Sequence, residues 1–152
     1  MPESFASRIA DAATETFESL AYCFAEPGDA SDVPGEGVDG VVAVAFEGEA
    51  RGGVVLQLSG GILPSMAGNM LGLDEPASPS DQRDALGEAA NVICGNVLPR
   101  VAGVTAVFSL GVPRHFPSWQ AAIDTLGAPD AHIALEVEGG RADIALVMRP
   151  AA

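Results

Sequence analysis

Apolar residues recur along the chain with two periods, and the points where the period changes divide it into elements. Phe5, Ile9, Ala12, Phe17, Leu20 and Phe24 fall at near-helical spacing, which predicts a long amphipathic helix over residues 4–25. Residues 26–40 are rich in Gly, Pro and acids and read as a mobile loop. Residues 41–46 and 53–58 alternate about a Gly-containing turn, the pattern of a β-hairpin. Gly60 and Gly61 lead into a short helix ending near Leu71, and a second loop covers residues 73–80. Beyond Pro99 the pattern predicts a strand over 105–112, then a loop through Arg114, Phe116, Pro117 and Trp119, with Trp119 packing that loop onto the body. A hairpin of residues 132–137 and 142–148 closes the chain. The order αββααβββ predicts an α+β fold, an antiparallel sheet with long helices packed on one face, in a single domain spanning residues 1–152.

The segment between the second loop and Pro99 carries the most specific pattern. Ser78 is suited to cap a helix, with Pro79 at its first position and Asp81 three residues after the serine. Leu86, Ala90, Ile93 and Val97 form one apolar stripe at 3.6 residues per turn, so residues 79–98 read as a helix that Pro99 ends. Glu88 and Asn91 are neighbours on the opposite side, with Asp84 and Gly95 on the same outward face. Gly87 and Gly95 should each cost a helix about 1 kcal/mol relative to alanine. They are expected to form a bare patch where another molecule's backbone or phosphate approaches the two polar tips. Taken alone, the pair also fits an ordinary solvated helix face, and Gly95 also fits a helix end.

The run Gly87-Glu88-Ala89-Ala90-Asn91-Val92-Ile93-Cys94-Gly95-Asn96 resembles the Glu-x-x-Asn helix of the CheC/CheX/FliY group of chemotaxis phosphatases, most closely its CheX-like branch. The likeness extends to the helix containing residues 14–20, the short helix over residues 66–72 and the strand over 108–113 that ends at a proline. It implies a CheX/CheC-like fold and a phosphatase acting on the aspartyl-phosphate of a CheY-type response regulator. Asn91 would orient the attacking water and Glu88 would engage the regulator's active-site lysine. Asp84, Gly87 and Gly95 would contact the partner, whose own site would carry Mg2+; no cofactor is expected in this chain. The side-chain types agree with those roles. A carboxamide both donates to and accepts from a water while staying neutral beside a phosphate. A carboxylate there is repelled by the anion and is better paired with a cation.

The two-site CheC form carries a second motif on the first helix, but Glu15 and Glu18 are followed three residues on by Glu18 and Ala21. One site per subunit is therefore expected, with Asn69 a polar position on the short helix and Asn96 a flank of the site. Relatives of the CheX type also imply a homodimer formed through the sheets.

Composition narrows the partners. There is no lysine, and the formal net charge is −14, which argues against nucleic acid and anionic membrane surfaces. Weak, salt-sensitive binding to a protein is expected instead. The N-terminus lacks a signal-peptide pattern and no long apolar run occurs, so a cytoplasmic protein is expected. Cys23 and Cys94, in separate predicted helices, read as buried reduced thiols; His115 and His132 read as isolated, and no metal site is expected. The competing function is a non-catalytic module of the same fold that binds a receiver or a flagellar-switch-like partner.

Overall fold

The computed structural model describes residues 5–151; Ser4, where the first helix was expected to begin, lies outside them. A seven-stranded antiparallel sheet forms the middle of the molecule. Its order is β1 (Ala25–Pro27), β6 (Ala131–Val137), β7 (Gly140–Pro150), β3 (Ala50–Ser59), β2 (Val38–Gly48), with β4 (Phe108–Leu110) and β5 (Arg114–Phe116) both paired to the outer side of β2. Helices α1 (Phe5–Ala21), α2 (Leu63–Leu71) and α3 (Pro79–Ala102) pack on one face. A short helix, α4 (Trp119–Leu126), packs on the other.

The strand period of two sorts side chains between these layers. Val42, Val44, Phe46, Val54, Leu56, Leu58, Ile144 and Leu146 face the layer of α1, α2 and α3 and are buried. Val41, Ala43, Val55 and Ala145 face α4. The β6–β7 turn places Glu138 at φ 49° and Gly139 at φ 83°, the backbone of a two-residue hairpin whose twist matches its strands.

Several boundaries differ from the sequence expectation for local reasons. Helix α1 stops at Ala21, where Tyr22 adopts a left-handed φ of 57° and the Cys23 N–H returns to the Phe17 carbonyl at 3.0 Å. Cys23 is thus outside the helix, and Phe24 is 79% exposed rather than part of the apolar stripe. The acidic loop begins with strand β1 and is fastened to the sheet. Gly28 N–H donates to the Ala134 carbonyl at 2.9 Å, and Gln57 Nε2 donates to the Pro34 carbonyl at 3.0 Å. Trp119 opens a helix instead of lying in a loop, and Ser118 caps it by accepting from the Ala121 N–H at 3.1 Å.

Candidate functional site

Helix α3 begins as its sequence demands: Ser78 Oγ accepts from the Asp81 N–H at 3.2 Å, with Pro79 in the first turn. It then continues through Pro99 to Ala102. Proline has no N–H to offer the carbonyl four residues back, here that of Gly95. Gly95 is exposed, so water can take the missing donor's place. The predicted stripe of Leu86, Ala90, Ile93 and Val97 is buried against the sheet, joined by Ala85, Ala89, Cys94 and Leu98. Burial pushes the Cys94 thiol up to about 12, so it stays protonated at neutral pH.

On the outward side, Glu88 is exposed and Asn91 half-buried. Three residues of helix set them about 60° apart around the axis and less than one turn apart along it. No side-chain hydrogen bond or ion pair among the described residues engages either group. Asp84 and Gly95 are exposed on the same face, and a Cβ on Gly95 would meet nothing within 4 Å.

Gly87 departs from the expectation of an open bare patch. It is buried, and a Cβ there would come within 3.1 Å of Pro113 Cβ and 3.8 Å of His115 Nε2. Its bareness therefore serves this chain's own packing: the turn between β4 and β5 seats on the helix at Gly87. Asn91 lies one helical turn further along and is half-buried. Asn96, expected to flank the site, faces α1 instead and donates to Thr16 Oγ1 at 2.9 Å, while Thr16 donates to the Ala12 carbonyl at 2.8 Å. Asn69 donates to the Ala21 carbonyl at 3.1 Å and so closes the end of α1. Glu15 is taken by Arg100, its Oε2 2.5 Å from Nη2.

His115 is the neighbour of the pair that sequence reasoning passed over. Its register opposite Val42 turns it toward the helix layer, beside Arg83 and Asp84. Desolvation and the Arg83 charge hold its imidazole below the ordinary value, with Asp84 opposing them in part. A cleft of about 410 Å³ opens there, lined by Gln82, Arg83 and Leu86 of α3, His115 and Phe116 of β5, and Asp39 of β2. The Asp39 carboxylate accepts from the N–H groups of Gly61, Ile62 and Leu63 at 3.0, 2.9 and 3.3 Å, so it secures the start of α2.

His132, expected to be isolated, belongs to a network on the opposite face of the sheet. Its Nε2 lies 2.9 Å from Asp143 Oδ1, and Arg141 grips the same fully buried carboxylate through Nε at 3.0 Å and Nη2 at 2.8 Å. The Trp119 ring lies over His132 with centroids 5.1 Å apart. Among the described residues no group of three or more His, Cys, Asp or Glu side chains is placed to hold a metal, and no helix is long and apolar enough to cross a membrane.

The family profile described as chemotaxis phosphatase CheX matches residues 41–136, which include α3 and the strands that support it. The chain belongs to the CheX family. Solved structures repeat its fold over nearly the whole length. CheX from Vibrio vulnificus superposes with a TM-score of 0.71 at 15% identity, covering 97% of each chain. CheX from Desulfovibrio desulfuricans does so at 0.70 and 18%, covering 95% of this chain and 99% of the other. CheX from Borrelia burgdorferi, crystallised in complex with CheY, BeF3 and Mg2+, gives 0.65 and 16% over 96% and 98%. No curated protein matches the sequence at a significant level.

Proposed function

We propose that this protein accelerates hydrolysis of the aspartyl-phosphate on a CheY-type receiver domain. The observation that carries this reading is the pairing of an exposed carboxylate with a half-buried carboxamide on α3, both free of side-chain partners among the described residues. An acyl phosphate is already activated, and the receiver supplies its own Mg2+ and phosphate ligands. What it lacks is a water held in line with phosphorus, and positioning alone can lower such a barrier substantially.

Asn91 orients that water. Its partial burial limits its rotamers, which favours one fixed geometry over the many a fully exposed amide samples. Glu88, further out on the helix, pairs with the receiver's lysine and sets the register of docking. Asp84 and Gly95 border the contact, whereas Gly87 acts indirectly by letting Pro113 close in. The Borrelia relative's complex with CheY supports a receiver as partner. Homodimerisation and a cytoplasmic setting are consistent with this reading.

The test is a panel of receiver domains phosphorylated with acetyl phosphate and followed for phosphate loss with and without this protein. Faster decay of at least one receiver is expected. Unchanged decay across the panel, with binding to a receiver retained, would assign the chain to the non-catalytic interaction modules.

A further inference from the structure

The chain carries 21 acidic residues in 152, yet none occurs from Ala89 to Ile123. Folding gathers part of that acid-free run into one surface. Antiparallel to α3, the chain returns through residues 103–107, strand β4 and the turn to Pro113, which is pinned on the motif helix at Gly87. Along this return path Val104, Val107, Leu110 and Val112 are 88%, 77%, 38% and 87% exposed. The two arginines of the run point elsewhere: Arg100 is held by Glu15, and Arg114 lies over the Phe116 ring on the α4 side of the sheet. The result is an apolar strip with no charged residue of its own, flanked across the ladder by Glu47 opposite Ser109, with its Val112 end beside the Glu88 and Asn91 helix, on a molecule that is strongly negative elsewhere.

We infer that this strip, from Val104 to Val112, is the landing surface for the receiver domain, extending the contact beyond the motif helix. The inference rests on the proposed phosphatase reading and adds the surface that makes it workable. A phosphorylated receiver presents a phosphate amid the carboxylates that hold its metal, so an acidic face would repel it at the range where docking begins. The acid-free strip removes that repulsion on one side of the site. Its valines also exclude water around the contact, leaving the one water that Asn91 orients. A second copy of this chain is the weaker occupant. The β4 edge is three residues long and is cut at Pro113, which has no N–H, so little ladder is available for strand pairing.

The test uses whichever receiver the intact protein dephosphorylates, with steady-state kinetics, light scattering and thermal melting on Val112→Asp, Val107→Asp and, as a far-face control, Ser31→Asp. Each acid on the strip is expected to raise KM about tenfold at unchanged kcat. Mass and melting temperature stay those of the parent, Val112→Leu keeps the parent KM, and the Ser31 variant is unaffected. An unchanged KM in both strip variants overturns the inference while leaving the phosphatase reading intact. A halved mass in the strip variants also overturns it and gives the strip to a second copy. Failure of the intact protein to accelerate any receiver defeats the phosphatase reading itself, and this inference with it.

Discussion

The two faces of the sheet use polar side chains in opposite ways. On the α4 side, the Asp143 carboxylate is fully buried and saturated by Arg141 and His132, and Gln57 is spent on the acidic loop. On the other side the long strands contribute apolar residues, α3 lies on them, and Glu88 and Asn91 beyond it have no side-chain partner among the described residues. Polar groups that satisfy one another hold structure in place, whereas groups held on a rigid apolar platform without partners are available to another molecule.

Disrupting the saturated side should give the largest effect and leave the chemistry alone. Arg141→Met strips a buried carboxylate of its bidentate cation and is expected to cost about 3–5 kcal/mol in urea unfolding. The receiver's decay rate should be unchanged at temperatures where the variant is folded. The free side should behave in reverse. Asn91→Ala is expected to reduce the acceleration about 100-fold, the scale of losing a positioned group in the transition state, with stability within about 0.5 kcal/mol of the parent. Glu88→Gln should raise KM about tenfold with little change in kcat, and the effect should shrink as salt is added.

The two helix glycines sharpen the comparison on a smaller scale. Gly95→Ala adds a Cβ to open space and should stabilise the helix by up to about 1 kcal/mol. At Gly87 the same gain is offset by Pro113 Cβ at 3.1 Å, so Gly87→Ala should fall below Gly95→Ala in denaturant titrations. If Gly95→Ala is more stable yet slower on the receiver, the bare surface at that turn serves the partner.

The smallest effect concerns His115, whose imidazole titrates below its unfolded value near 6.5. Between the two values the unfolded chain binds more protons, so stability rises with pH there and is lost as pH falls through 6.5 toward the lower folded value. His115→Gln should flatten that part of the stability profile relative to the parent. An identical slope in both would remove His115 from the account.

Much of this was legible in the sequence because local rules decided it. Ser78 with Pro79, the stripe from Leu86 to Val97 and the outward position of Glu88 follow from helix periodicity alone. The second layer was less visible. Val41 to Val44 and Val54 to Leu56 are apolar at consecutive positions, a pattern that signals burial on both faces, and α4 supplies the second cover. Strands β1 and β5 are three residues each and owe their existence to pairing with distant partners, which no short window contains. The same limit hid the seating of Pro113 on Gly87 and the His132 side of the Asp143 network, since both join residues brought together by tertiary folding. Pro99 shows a local rule overridden: an exposed Gly95 carbonyl lets the helix run past it.

The most direct measurement is phosphate release from one acetyl-phosphate-loaded receiver under single-turnover conditions, with the parent protein and with Asn91→Ala at matched folded concentration. The account predicts fast release with the parent and near-intrinsic release with the variant, while both bind the receiver equally well. Equal rates for the two proteins would contradict it.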